Sequence, residues 1–187
     1  MANGAVYEDI PEELSEEEEK EFRKTRRALH VHDAKIEALN DLIEELNGKP
    51  LMVVYHFKHD LKRLQMEFGK SVPRIGSGVS AGKTKELVDK WNNKDIDLLF
   101  VQASSMAHGL NMQHGGVDIC WFCLPWDLEL YIQLNKRVDR SGVKEKVRVH
   151  HLVAKRTIDE AILSRLGERA KVQQDLREAI RKYRLSV

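Results

Sequence analysis

The sequence predicts an α/β protein whose mostly parallel sheet carries helices on both faces, with a charged helix ahead of it. Two observations lead there. Leu51–Tyr55 is a short continuous apolar run, and Ile96–Val101 and Val117–Leu124 are apolar but for Asp97 and Asp118; such runs read as strands buried on both faces, as in parallel sheets. Segments of helical periodicity lie between them, and alternation at this pitch builds a doubly wound sheet.

Residues 1–10 read as a loose leader. From Pro11 to about Arg27 the chain is a charged helix, with Glu16/Lys20 and Glu19/Arg23 as i, i+4 pairs in the favourable order. Asp33 is placed to cap the next helix, whose apolar stripe is Ile36, Leu39, Leu42, Ile43 and Leu46, ending near Asn47-Gly48. The strand Leu51–Tyr55 follows Lys49-Pro50. Then come a short helix from Asp60 to Phe68, a short strand from Val72 to Ile75, a helix from Thr84 to Trp91, and the strand Ile96–Val101. After a Ser/Gly-rich loop, the strand Val117–Leu124 leads through Leu124-Pro125-Trp126-Asp127 into a helix from Leu128 to Val138. Val147 to Val153 is the last strand, with Val147, Val149 and His151 on one face. Thr157-Ile158-Asp159-Glu160 is a capping box opening a long final helix with the stripe Ile158, Ile162 and Leu166. The division expected is a leader and charged helix over 1–32 and one α/β lobe over 33–187.

Composition narrows the class. The 187 residues are 42% hydrophobic and 33% charged, with net charge +1, as in a globular helix-rich protein rather than a disordered one. Bulk charge argues neither for nor against nucleic acid, although the last helix is basic. No apolar run approaches the roughly 18 residues a membrane span needs, and the N-terminus lacks a secretory pattern. Cytoplasm is the expected compartment, with no membrane partner. Cys120 and Cys123 form a C-x-x-C inside a buried strand, where residues three apart face opposite sides. No second C-x-x-C completes a zinc site, so they read as buried thiols. The eight histidines are scattered, and no metal site is expected.

One array stands out. Gln133, Arg137 and Arg140 form Q-x-x-x-R-x-x-R. If that stretch is helical throughout, positions i, i+4 and i+7 share a face. Guanidinium forks grip phosphate oxygens bidentately and can neutralise charge on a transferring phosphoryl group; the alternative is a solvated basic helix face. Gly76-Ser77-Gly78-Val79-Ser80-Ala81-Gly82-Lys83-Thr84 invites a P-loop reading, but a Walker A loop needs Gly where Ser77 stands. The loop from Gln102 to Gly116 follows a buried strand, and ligands of such sheets sit outside the strands' carboxyl ends.

Taken in order, these pieces resemble the C-terminal RecA-like lobe of superfamily-two helicases, Swi/Snf-like branch, in its short bacteriophage form, over about residues 33–182. Tyr55-His56-Phe57-Lys58 resembles motif four, and Arg74–Gly78 with the following helix resembles the segment after it. His108-Gly109-Leu110-Asn111 resembles the end of motif five. Pro125-Trp126-Asp127 through Gln133, Arg137 and Arg140 resembles motif six, and Val149–Ala154 with Thr157–Glu160 resembles the closing strand and helix. The resemblance implies that Arg140 is an arginine finger and Arg137 its companion on the γ-phosphate of ATP, with Gln133 orienting them. It implies that Gly109 and Asn111 couple nucleotide to nucleic acid, and that Lys58, Ser77, Gly78 and Ser104 contact the strand. It also implies ATP and Mg2+ held mainly on an N-terminal lobe, met in cis or in trans, and a DNA partner, with RNA the other possibility. Lys136 stands where the family usually has Gly, and Asp139 sits between the arginines. The sequence contains no Walker A and no D-E-x-H, so the chain alone is expected not to hydrolyse ATP. The competing reading is a non-catalytic nucleic-acid or protein binding module on the same fold.

Overall fold

A computed structural model describes residues 5–7, 15, 17–18, 28–30, 32–107, 110–140 and 145–185. Two short strands, β1 (Ala5–Tyr7) and β2 (Ala28–His30), pair antiparallel, so part of the stretch read as a loose leader is a strand. Of the charged helix expected between them, only residues 15, 17 and 18 are described. Residues 17–18 are helical, and Ser15 Oγ donates to Glu18 Oε2 at 2.6 Å; the rest lies outside the described residues.

Helix α1 (Ala34–Leu46) ends on Asn47, whose left-handed φ of 47° closes it. Then follow β3 (Leu51–Tyr55), α2 (Lys58–Phe68), β4 (Arg74–Ile75), α3 (Ala81–Asn92), β5 (Leu98–Gln102), a 3-10 turn (Ala103–Ala107), β6 (Asp118–Trp121), α4 (Leu128–Val138), β7 (Arg148–His151) and α5 (Ile158–Leu185). The five strands from β3 onward form one sheet in the order β4-β5-β3-β6-β7, and every pairing is parallel.

Strand periodicity splits the interior in two. Leu51, Val53, Tyr55, Phe100 and Cys120 point to the face covered by α1 and Leu64 of α2. Met52, Val54, Leu99, Val101, Ile119 and Trp121 point to the other, under α3, α4 and α5. Side chains alternate across a strand, so runs apolar at every position serve two cores at once.

Helix starts depart from expectation for local reasons. Ser80 Oγ accepts from the Lys83 N–H, and α3 begins at Ala81 rather than Thr84. Asp60 accepts from the Phe57 N–H at 3.0 Å, so α2 begins at Lys58. Asp33 precedes α1 but makes no side-chain cap; its carboxylate accepts from Arg63 of α2 at 3.0 Å. At α5 the expected box is replaced. Thr157 Oγ1 donates to the Ala154 carbonyl, and Asp159, not Glu160, turns back to accept the Ala154 N–H at 3.0 Å. Ile158 is exposed, contrary to the expected stripe, while Ile162 and Leu166 are buried.

Asp159 also meets Lys35 of α1 at 2.7 Å, and both side chains are almost fully buried. Lys35 Nζ donates to the Phe122 carbonyl at 3.0 Å. The pair thus ties α1, the exit of β6 and the start of α5 together. Removing one partner of a buried pair strands the other's charge, at about 3–5 kcal/mol. Lys35→Met is therefore expected to lower unfolding stability by about that much in urea titration. Lys35→Met with Asp159→Leu should lose less than the sum of the two single variants; strict additivity would show that the two side chains are not coupled.

Candidate nucleotide and nucleic-acid sites

The residues singled out from the sequence fall into two groups. Lys58, Ser77, Gly78 and Ser104 follow the carboxyl ends of β3, β4 and β5 and are all exposed. Their loops are held from behind. Ser77 N–H donates to Gln102 Oε1 at 2.8 Å, and Arg74 Nη1 donates to the Ser77 carbonyl at 3.0 Å. Gly78 takes φ +81°, a left-handed value that glycine adopts without strain.

The second group belongs to α4. Asp127 Oδ1 caps its start by accepting the Glu129 N–H at 2.8 Å. Leu128, Leu134 and Val138 are its buried side. Above the strands, Trp121 Nε1 donates to Asn135 Oδ1 at 3.0 Å, and the Tyr131 hydroxyl meets His151 Nε2 at 2.9 Å. The Trp121 and Tyr131 rings are 5.2 Å apart, and those of Tyr131 and His151 are stacked at 5.7 Å. These contacts fix the rotation of α4 and hence where its outer residues point.

The three residues of the array are not on one helical face. The helix stops at Val138, Asp139 is its C-cap, and Arg140 stands beyond it in a turn, its N–H on the Val138 carbonyl. Gln133 donates to Glu129 at 3.0 Å rather than to either arginine. Asp139 and Lys136 are exposed, and no ion pair among the described residues joins Asp139 to an arginine. Arg137 is half-buried, with its Nε enclosed and without a hydrogen-bond partner. Arg140 Nη1 donates to Asn111 Oδ1. Gly109 and His108 lie outside the described residues.

Asn111 reaches the arginines because its loop leaves the sheet edge. Met112 N–H donates to the Arg137 carbonyl at 3.1 Å. Helix α4 starts at the carboxyl end of β6 and carries the chain back toward the opposite edge, about 16 Å over its 11 residues. The sequence reading put the loop from Gln102 to Gly116 at the carboxyl edge. Instead, Ser104 stays there while Asn111 and Met112 lie beside the far end of α4. Two residues missed from sequence hold that loop, Trp91 and Asn92 at the end of α3. Trp91 Nε1 donates to the Met112 carbonyl at 3.1 Å. Gly115 passes so close to Trp91 that any Cβ would strike its backbone carbonyl and indole; the Gly115-Gly116 pair was the available signal of close approach.

At the starts of β6 and β7, Arg148 Nε and Nη2 fork onto Asp118 at 2.7 and 2.5 Å, and His150 Nε2 lies 2.9 Å from it. Burial pushes the Asp118 carboxyl up, but these donors outweigh it and hold it below the usual carboxylate range. Among the described residues, no group of three His, Cys, Asp or Glu side chains is placed to hold a metal ion. No described helix is long and apolar enough to cross a membrane.

The fold defines a RecA-like lobe. It superposes on the crystal structure of the C-terminal part of the Fun30 ATPase domain with a TM-score of 0.62 at 19% identity, over 74% of this chain and 47% of that one. The family model of the helicase conserved C-terminal domain matches residues 34–142, and the chain belongs to that family, as a superfamily-two, Swi/Snf-like C-terminal lobe. It is 37% identical over 187 residues to protein p41 of Acyrthosiphon pisum secondary endosymbiont phage 1, covering 97% of this chain and 36% of the phage protein. It is 32% identical over 150 residues to the SWI/SNF-related matrix-associated actin-dependent regulator of chromatin subfamily A-like protein 1 of Xenopus tropicalis, covering 77% of this chain and 16% of that protein. The chain thus spans about a third of the phage relative and less of the frog one.

Burial, and secondarily the neighbouring His150, depress the His151 pKa below 6.5. A depressed histidine resists protonation in the fold, so its contribution is present above the unfolded value and lost as pH falls through the folded one. Chemical denaturation is expected to show stability declining below pH 6.5, with a shallower decline in His151→Asn. An identical acid limb in the variant would refute the assignment.

Proposed function

We propose that this lobe serves an ATP-dependent DNA translocase, supplying Arg140 and Arg137 to an ATP molecule held by a separate N-terminal lobe. One observation carries the reading: Arg137 and Arg140 both lie at the end of α4 and are braced by the Asn111–Met112 loop, with the Arg137 Nε enclosed and unused. That donor set fits a phosphate. Bound ATP, with its Mg2+, supplies the γ-phosphoryl group as the reacting centre. Arg140 neutralises charge there, Arg137 adds a second fork, and Asn111 holds Arg140 in the meantime. Gln133 acts at one remove, by restraining Glu129 beside the helix start. Gly109 belongs to the same loop as Asn111 and couples the two sites with it. Residues 33–187 form this working lobe, and 1–32 are an attachment to it. Its place of action is the cytoplasm, of the host if the chain is phage-encoded.

The exposed edge of Lys58, Ser77, Gly78 and Ser104 takes the DNA backbone, because a cation beside free hydroxyls and a glycine turn suits phosphate rather than base edges. Similarity to a chromatin regulator supports DNA over RNA. Lys136, exposed where the family usually has glycine, favours a second reading, a binding module that keeps the fold without the chemistry.

The test is ATPase activity of the chain mixed with an N-terminal lobe carrying Walker A and D-E-x-H, with and without DNA. DNA-stimulated turnover is expected only in the mixture, and Arg140→Ala should lower kcat by about 10³-fold or more. No rescue with DNA binding intact would establish the binding module instead. For the DNA edge, Lys58→Ala should weaken binding to all sequences alike and reduce the slope of log affinity against log salt by about 1. An unchanged slope would remove Lys58 from the interface.

A further inference from the structure

Asn92 closes α3 and bonds neither arginine, yet its side chain is bound at both ends to the loop that carries Asn111. Nδ2 donates to the Asn111 carbonyl at 2.8 Å, and Oδ1 accepts the His114 N–H at 3.2 Å. An amide offers donor and acceptor from one short side chain; an aspartate in the same shape keeps only the acceptor. Asn111 is thereby held by its backbone on one side while its own side chain holds Arg140 on the other. A parallel connection runs beside it. The indole of Trp91 holds the Met112 carbonyl, and the Met112 N–H holds the Arg137 carbonyl. The loop is a splint between the ends of α3 and α4, bound to the Arg137 backbone and to the Arg140 side chain.

We propose that Asn92 is a positioning residue for Arg140, fixing the guanidinium through Asn111. The carrying observation is the unbroken series Asn92–Asn111–Arg140. Helix α3 begins, at its other end, beside the Ser77–Gly78 loop, so a displacement of that helix on the DNA edge is transmitted to Arg140 through this amide. The consequence for turnover rests on the arginine role proposed above; the positioning itself does not.

Two measurements separate them. The Nε–Hε resonance of Arg140 in the chain alone, assigned by its loss in Arg140→Lys, reports whether the guanidinium is ordered. Asn92→Ala and the isosteric Asn92→Asp are expected to collapse it to the random-coil position, while Asn93→Ala leaves it unchanged. In the mixture with the N-terminal lobe, both Asn92 variants should lower kcat about ten- to a hundredfold with KM for ATP unchanged. If Asn92→Ala does not fold, Asn92→Asp decides. An Arg140 resonance unmoved in a folded Asn92 variant overturns the proposal. If the resonance collapses but turnover is indifferent to Arg140→Ala as well, the arginine role falls and the positioning stands.

Discussion

Both faces of the parallel sheet are buried, and that constraint decides where anything functional can be. The strands β3, β5 and β6 are spent on packing, with alternate residues committed to two separate cores. A strand of this kind has no side chain left to offer a ligand. The groups proposed to meet phosphate therefore come from crossovers: the first residue of α2, the loop into α3, the turn after β5, and the end of α4. Because each helix returns the chain to the opposite edge, two working surfaces arise from one topology. One lies where the strands end, the other where a helix ends.

Such sites are only as well defined as the crossovers that carry them, and the polar bonds are concentrated there. Gln102 steadies the Ser77 loop. Trp121, Tyr131, His151 and Asn135 set the rotation of α4. Lys35 and Asp159 lock the exit of β6 to the helices on either side. Each uses a side chain from one element to satisfy a backbone or side-chain group of another, which is how buried polar groups keep partners without a regular ladder.

The sheet was legible because its signal is local. Leu51–Tyr55 is apolar at every position, and its short length, β-branched residues and flanking Lys49-Pro50 favour a strand buried on two sides over a helix. The placement of Arg140 was partly legible, since the helix read from the sequence already stops at Val138, ahead of it, and the turn formers Ser141-Gly142 follow. The Asn92 amide was not, because its partners Asn111 and His114 lie a whole strand and loop away. Nor was Lys35, a charged residue in an apolar stripe, whose burial makes sense only once Asp159 is brought against it. Periodicity reports what a segment does to its own neighbours, while these contacts depend on how crossovers meet.

The two cysteines have a practical consequence. Cys120 lies in the core beneath α1, and burial pushes its thiol up to about 12; Cys123 is buried beside it in the chain. Only the thiolate reacts with maleimides or alkylating agents, and burial disfavours the Cys120 thiolate at neutral pH. Cys120 is therefore slow to react while the protein is folded, and Cys123 is buried. A single cysteine introduced at exposed Ser77 or Ser104 can bear a fluorophore or spin label without removing either of them, and labelling of Cys120 would itself report unfolding.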